Sequence, residues 1–441
     1  MRYDAVVIGS GAAGIYFSLS CARKGKRVAI IEKDELGGTA FATGCLPVKR
    51  FMDKIKDLKK AESLQNQSLI TINNDKELLY KACKGSMDNI ERFTLDKLDS
   101  EYIDVYRGCA SIETKNTVKV NEDILDTDNI IIASGTSACS LKGSCEIDEN
   151  IIMSHKGILS MKDLCDEVII IGGNVEGIEF ASLFSELGAK VTVIERESEI
   201  LNGNDFDLIK NIKERLISNN VKFMLDEEVV SIEKDEEIAY IELKSGKKIE
   251  TSKVLVTGIR KPNTPIGASE IGVTTECGYI KVDNNLKTSV DNIYAIGDIN
   301  GLHGMAHIAI QQGILLADYI YDGKNISFDY KSLPRCIFTI NELAGAGFQE
   351  SQLSDCSVDK IYFNETFRGF DSNNDGFIKI ITKDNYIKGV WINSIDAGSL
   401  IGNIGIWIDK NISIDDIKRS LFINPTLSES FIELAVKGVK K

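Results

Sequence analysis

The feature that most limits what this chain can fold into is a strand–turn–helix signature that occurs twice. The first copy is Val6-Val7-Ile8-Gly9-Ser10-Gly11-Ala12-Ala13-Gly14, and the second is Val168-Ile169-Ile170-Ile171-Gly172-Gly173-Asn174-Val175-Glu176-Gly177. In each, an apolar β-branched run enters a glycine-spaced turn and a helix follows. Such a turn aims backbone N–H groups and the positive end of the helix at a pyrophosphate. Two units of this kind predict parallel α/β domains that bind dinucleotides.

The first copy has every expected part. Gly9 permits the tight turn, Gly11 lets phosphate approach, and Gly14 lets helix and strand pack closely. The next strand, Lys26 to Ile31, ends at Glu32, whose carboxylate suits a ribose diol. The second copy departs at two places. Asn174 stands where backbone should approach phosphate, and Glu176 puts an anion in the helix's first turn, where it suits the dipole but repels a pyrophosphate. Its next strand ends at Glu195, which favours a ribose hydroxyl and so NAD over NADP, with Arg196 beside it. The expected second-site residues are Gly172, Gly173, Gly177, Glu195 and Gly258.

The 441 residues suggest two to four domains. Asp and Glu exceed Lys and Arg, 66 against 52, which disfavours nucleic acid or an anionic bilayer as partner. The ten cysteines form no CxxC pair or zinc-type cluster. No long apolar stretch and no signal-peptide pattern is seen, so a cytoplasmic protein with mostly inert thiols is expected. Phe51 to Leu64 and Lys76 to Leu98 read as amphipathic helices. The last hundred or so residues alternate strands and late helices.

The segment Gly37-Gly38-Thr39-Ala40-Phe41-Ala42-Thr43-Gly44-Cys45-Leu46-Pro47-Val48-Lys49 resembles the GGTCxxxGCxPSK redox segment of class I pyridine nucleotide-disulfide oxidoreductases. Ile132-Ala133-Ser134-Gly135-Thr136, Arg260-Lys261-Pro262-Asn263-Thr264, Ala295-Ile296-Gly297-Asp298, Met305-Ala306-His307 and Asn424-Pro425-Thr426-Leu427-Ser428-Glu429 follow in family order. Within the family, dihydrolipoyl dehydrogenase is most similar.

The resemblance implies two Rossmann-like domains of the glutathione reductase type and a C-terminal α+β dimerisation domain. The FAD domain would span 1–147 and 262–326, the NAD-type domain 148–261 and the interface domain 327–441. FAD would rest on Gly9, Gly11, Ala13, Gly14, Glu32, Lys33, Gly38, Thr39, Lys49, Ala110, Gly135, Asp298, Ala306 and His307. Lys49 and Glu179 would pair beside the flavin N5, where hydride from NAD(H) arrives.

The family's dithiol chemistry requires a second cysteine at position 40 and a histidine at position 424. Here these are Ala40 and Asn424, while the histidine's partner Glu429 remains. Asn cannot act as a base near neutral pH, and one thiol cannot store two electrons as an internal disulfide. His155, His303 and His307 are the only histidines, so none follows position 307 to substitute. Cys45, near Lys49 and a helix start, is expected to have a lowered pKa and either to cycle through a sulfenic acid or mixed disulfide, or to remain as a relic beneath the flavin. His303 and His307 read as structural.

Three functions follow as alternatives. One is a homodimeric FAD enzyme that accepts hydride from NAD(P)H and reduces a small-molecule or protein acceptor without dithiol exchange. The second is a working dihydrolipoyl dehydrogenase or related disulfide reductase. The third is a flavin-binding sensor or complex subunit without turnover.

Overall fold

The computed structural model describes residues 2–72, 75–85, 89–327, 330–372 and 374–437. Strand β1 (Arg2–Ile8) leads through the first glycine turn into helix α1 (Ala12–Ala22) and strand β2 (Val28–Glu32). Helix α2 (Cys45–Asn66) follows the redox segment. The expected helix over Lys76 to Leu98 is instead two, α3 (Lys76–Gly85) and α4 (Asn89–Leu98), with the residues between them outside the described set. Strands β3 (Ile103–Arg107), β4 (Ala110–Thr114), β5 (Thr117–Val120) and β6 (Asp123–Ile132) complete the first pass.

These strands form one sheet in the order β3-β2-β1-β6-β5-β4, and a late strand, Ile293–Ala295, returns to pair with β6. Val6, Val7, Ile30, Ile131 and Ile132 are fully buried, as expected for parallel strands covered on both faces. The sequence-distant return is what makes this unit discontinuous. Two short antiparallel segments, Thr136–Ala138 and Arg260–Pro262, pair where the chain leaves and re-enters it.

The second unit repeats the plan. Helix α5 (His155–Ser160) precedes the strand Glu167–Ile171, whose turn opens helix α6 (Val175–Leu187). Strand Lys190–Ile194 and helix α7 (Phe206–Ser218) come next. Five parallel strands result, with Glu167–Ile171 flanked by Lys190–Ile194 and Val254–Val256. Helix α8 (Ala306–Asp322) then packs along α1. The C-terminal unit is a five-stranded antiparallel sheet whose centre holds Trp391, fully buried against Gly345. A side chain at position 345 would stand 2.1 Å from the indole.

One cluster ties the units together and holds the redox segment in place. Phe51 and Met52 of α2 pack with Tyr80, with Phe180, Phe184 and Leu187 of α6, and with Ile337 and Leu343 of the C-terminal sheet. Phe51 is 1% exposed and its ring lies 5.4 Å from that of Tyr80. Burying such a ring contributes about 1.5–3 kcal/mol. The start of α2, and with it Cys45, is therefore anchored to all three units. Among the described residues, no helix is long and apolar enough to cross a membrane.

Candidate flavin and nucleotide crevices

In the first unit the crevice opens between β1 and β6, where the strand order reverses direction. Gly9 has φ +109°, and a Cβ there would lie 2.4 Å from the Ala133 carbonyl oxygen. A Cβ at Gly14 would lie 2.0 Å from the Gly9 carbonyl, so both glycines are required by close backbone contact. Gly11 begins α1 with no side-chain cap, and a Cβ there would meet nothing within 4 Å. The helix start thus has N–H groups that no side chain caps. An uncapped helix start of this kind fits a pyrophosphate such as that of FAD.

Glu32 is buried at the end of β2, where Oε2 accepts from Ser10 N (2.9 Å) and Ser10 Oγ (2.7 Å), and Oε1 from Asp34 N (2.9 Å). Ser10, unremarked in the sequence, fixes this carboxylate with lone pairs to spare for a ribose. Gly38 comes close to Gly11, and Gly135 has φ +62° with open space around it. Ala13 packs on Gly297 beneath, and Ala110 is buried in β4. Thr39 is half-buried and Lys33 is exposed at the rim. Asp298 follows Gly297, and burial raises its pKa against the pull of Arg260 and a Thr136 hydrogen bond. Ala306 and His307 open α8, also without a side-chain cap, and burial lowers the His307 pKa. His303 instead stacks on Tyr330, with centroids 4.3 Å apart.

The redox segment forms one wide helical turn, Thr39–Thr43, before α2 starts at Cys45. Cys45 is exposed at its surface, yet the protein around it pushes its pKa up to about 11, with Glu179, Glu176 and Asp298 adding repulsion. The expected lowering does not occur, because the surrounding protein disfavours the charged thiolate and the three carboxylates add to that. At neutral pH Cys45 is a protonated thiol.

The expected Lys49–Glu179 ion pair is also absent. Lys49 Nζ bonds Glu342 Oε1 at 3.0 Å, approaches Asp53 at 3.6 Å and lies 4.5 Å from the Phe338 ring centroid. Glu342 is the stronger partner because its side chain is only 5% exposed and also accepts from Lys56 Nζ (2.8 Å) and Gly398 N (2.9 Å). Glu179 is left accepting from Phe338 N at 2.9 Å. Packed protein pushes its carboxyl up to about 7, Glu176 adding to the rise while the Phe338 N–H and Lys49 oppose it. Glu179 is partly exposed.

His155 is a residue that sequence motifs did not single out for chemistry. It is 4% exposed, its Cδ2 lies 3.6 Å from where a Gly44 side chain would start, and its Nδ1 is 3.3 Å from Glu176 Oε1. Neither ring nitrogen makes a hydrogen bond. In the C-terminal unit Asn424 Nδ2 donates to Glu429 Oε2 at 2.5 Å, and the other Glu429 oxygen is buried without a partner. Asn424 and Glu429 thus meet as the resemblance pairs these positions, with an amide that cannot take up a proton in place of the imidazole.

The second crevice, between Glu167–Ile171 and Val254–Val256, has the same frame and different contents. Gly172 (φ +107°) and Gly258 (φ +76°) turn the chain at its two sides, and Gly177 packs on the Gly172 carbonyl as Gly14 does on Gly9. Glu195 Oε2 accepts from Gly173 N at 2.6 Å, copying Glu32. Asn174 needs no positive φ, however. It sits at φ −77° and caps α6, its Oδ1 accepting from Gly177 N at 3.1 Å while Nδ2 donates to Thr257 Oγ1 at 3.1 Å.

Comparison with known proteins agrees with this layout. The model of the pyridine nucleotide-disulphide oxidoreductase family matches residues 3–313, and that of its dimerisation domain matches 333–435. The chain is 32% identical to dihydrolipoyl dehydrogenase of Chlamydia muridarum over 460 residues, covering 99% of this chain and 97% of the relative. It is 30% identical to that of Geobacillus stearothermophilus over 452 residues, covering 98% and 95%. Among solved structures, LpdA from Mycobacterium tuberculosis superposes with TM-score 0.90 at 23% identity, covering 99% of both chains. The HOCl-induced flavoprotein disulfide reductase RclA from Escherichia coli does so with TM-score 0.87 at 24% identity, covering 98% of this chain and 99% of that one. With both nucleotide crevices, the redox segment and the C-terminal sheet matched in order, the chain belongs to the pyridine nucleotide-disulphide oxidoreductase family and is an FAD-linked oxidoreductase.

Proposed function

We propose that this protein is an FAD-dependent oxidoreductase that takes hydride from NAD(P)H and delivers electrons to a small-molecule or protein acceptor without dithiol–disulfide exchange. The observation that carries this reading is the pairing of Ala40 with Asn424: one redox sulphur is missing, and so is the base that would serve it. FAD supplies reversible two-electron storage when bound. Gly9, Gly11, Ala13 and Gly14 would seat its pyrophosphate, Glu32 and Lys33 its adenosine end with Ala110. Gly38, Thr39, Gly135, Asp298, Ala306 and His307 would line the rest.

The high pKa of Cys45 supports a neutral thiol packed beside the flavin over a nucleophilic thiolate. Glu179, titrating near neutrality, is suited to hold or release a proton at that face. Gly172, Gly173, Gly177, Glu195 and Gly258 would hold the nicotinamide dinucleotide, with Glu195 favouring NAD.

The flavin domain would comprise 1–147 and 262–326, the nucleotide domain 148–261 and the interface domain 327–441. Homodimer formation through the last is supported by exposed apolar residues there, including Phe367 (85%), Leu421 (100%) and Ile423 (77%). Mixing the FAD-loaded protein anaerobically with NADH tests the reading. It requires prompt bleaching of the flavin and lipoamide turnover far below that of dithiol relatives. No bleaching would favour a non-turnover flavin protein, a reading that the capped second crevice supports. Full lipoamide turnover would favour a working dihydrolipoyl dehydrogenase.

A further inference from the structure

The two crevices of this one chain serve as controls for each other. Gly11 and Asn174 occupy equivalent places, and their backbones coincide, at φ −69°, ψ −176° and φ −77°, ψ −176°. The frames differ in what stands at the mouth. At Gly11 there is no side chain, no cap and no atom within 4 Å of a built Cβ. At Asn174 the side-chain amide closes a bridge from Gly177 N on one side to Thr257 Oγ1 on the other. Its Nδ2 would lie 2.7 Å from a Cβ at Gly172 and 2.4 Å from one at Gly258, so it fills the notch between the two turns. Thr257 is itself held, its Oγ1 donating to the Ile171 carbonyl at 2.9 Å.

We propose that Asn174 is a latch on the second nucleotide crevice. Its amide occupies the place that a dinucleotide's pyrophosphate takes, and binding requires the side chain to swing off the start of α6. Oδ1 already accepts from Gly177 N, one of the N–H groups at the helix start, so a ligand that moves the side chain must displace a made hydrogen bond and lose part of its affinity. Glu176, in the same helical turn and beside His155, keeps a negative charge near the opening and works in the same direction. The latch makes Asn174 a specificity-determining residue: it penalises ligands with a pyrophosphate at this site and leaves the flavin crevice untouched. The inference rests on the reading of this crevice as the nicotinamide-dinucleotide site.

The test uses ADP-ribose, which carries the pyrophosphate but no hydride, titrated calorimetrically into the FAD-loaded full chain. Replacing an N-cap Asn by Gly costs little stability, so Asn174→Gly should fold. The expected result is that Asn174→Gly tightens ADP-ribose about tenfold, or about 1.4 kcal/mol, with FAD content unchanged. Thr257→Val, which unties the amide's far end, should tighten it in the same direction by less. A change below threefold in Asn174→Gly, or no binding by either form, overturns the latch. Flavin bleaching by NADH reports separately on the proposed oxidoreductase function: tightened ADP-ribose without bleaching would sink that function and spare the latch.

Discussion

Replacing Glu342 by Gln perturbs the contact that diverts Lys49 from its expected partner. One carboxylate oxygen serves both Lys49 and Lys56, and the other accepts from Gly398 N, in a side chain only 5% exposed. Removing one member of a buried ion pair costs about 3–5 kcal/mol. Lys49 and Lys56 are 32% and 16% exposed, so both can partly rehydrate, and Gln keeps an acceptor. We therefore expect a loss of about 2–3 kcal/mol, a fall in melting temperature of roughly 4–12 °C for units of this size.

The pH dependence has a defined sign. The lysines hold the Glu342 pKa below its usual 4.5, so its contribution is present above that value and is lost as pH falls through the folded pKa. Differential scanning calorimetry of FAD-loaded wild type and Glu342→Gln at pH 7.5 and in a mildly acidic buffer near pH 4 checks this. The deficit should be full at the first and smaller at the second. A neutral-pH difference below about 0.5 kcal/mol, the range of ordinary surface substitutions, would refute the reasoning.

Other outcomes follow from the same geometry. Glu179 has a folded pKa of about 7 against 4.5 unfolded, so the folded state holds its proton longer and stability should decline as pH rises through that window. Glu179→Gln should abolish that decline, worth about 1–3 kcal/mol after allowing for its partial exposure, and urea midpoints at pH 5 and 8 would show it. Alkylation of Cys45 by iodoacetamide, followed by peptide mass spectrometry, should accelerate about tenfold per pH unit from pH 8 to 10. A plateau below pH 8 would indicate a thiolate. Phe51→Ala should cost about 3–5 kcal/mol by opening a cavity where the three units meet, measurable by the same calorimetry.

Much of the fold was legible because its signals are local and repeated. A β-branched run, a glycine turn and a helix at fixed spacing leave little freedom, and both copies formed, with the strands entering the two turns ending at Ile8 and Ile171 as expected. Family motifs supplied the C-terminal sheet, whose pairings connect distant segments. The misreadings concern side chains that choose among partners. Lys49 had Glu179 available, but Glu342, nearly 300 positions away, offered a more buried carboxylate with a second lysine and a backbone N–H. Cys45 was judged from its neighbours in the chain, whereas its pKa is raised first by the protein packed around it and then by carboxylates of α6 and Asp298. His155 gave no motif signal, since its place against Gly44 exists only after the units dock. Asn174 was flagged as a departure, and only the three-dimensional arrangement shows its amide spanning the crevice.

The most direct test of the central claim counts electrons. An FAD and an internal disulfide together accept four electrons, whereas FAD with a single neutral thiol accepts two. Anaerobic dithionite titration of the FAD-loaded protein should therefore bleach the flavin completely at two electrons per subunit. Uptake of four electrons per subunit, with the flavin absorbance persisting past the first pair, would contradict the account.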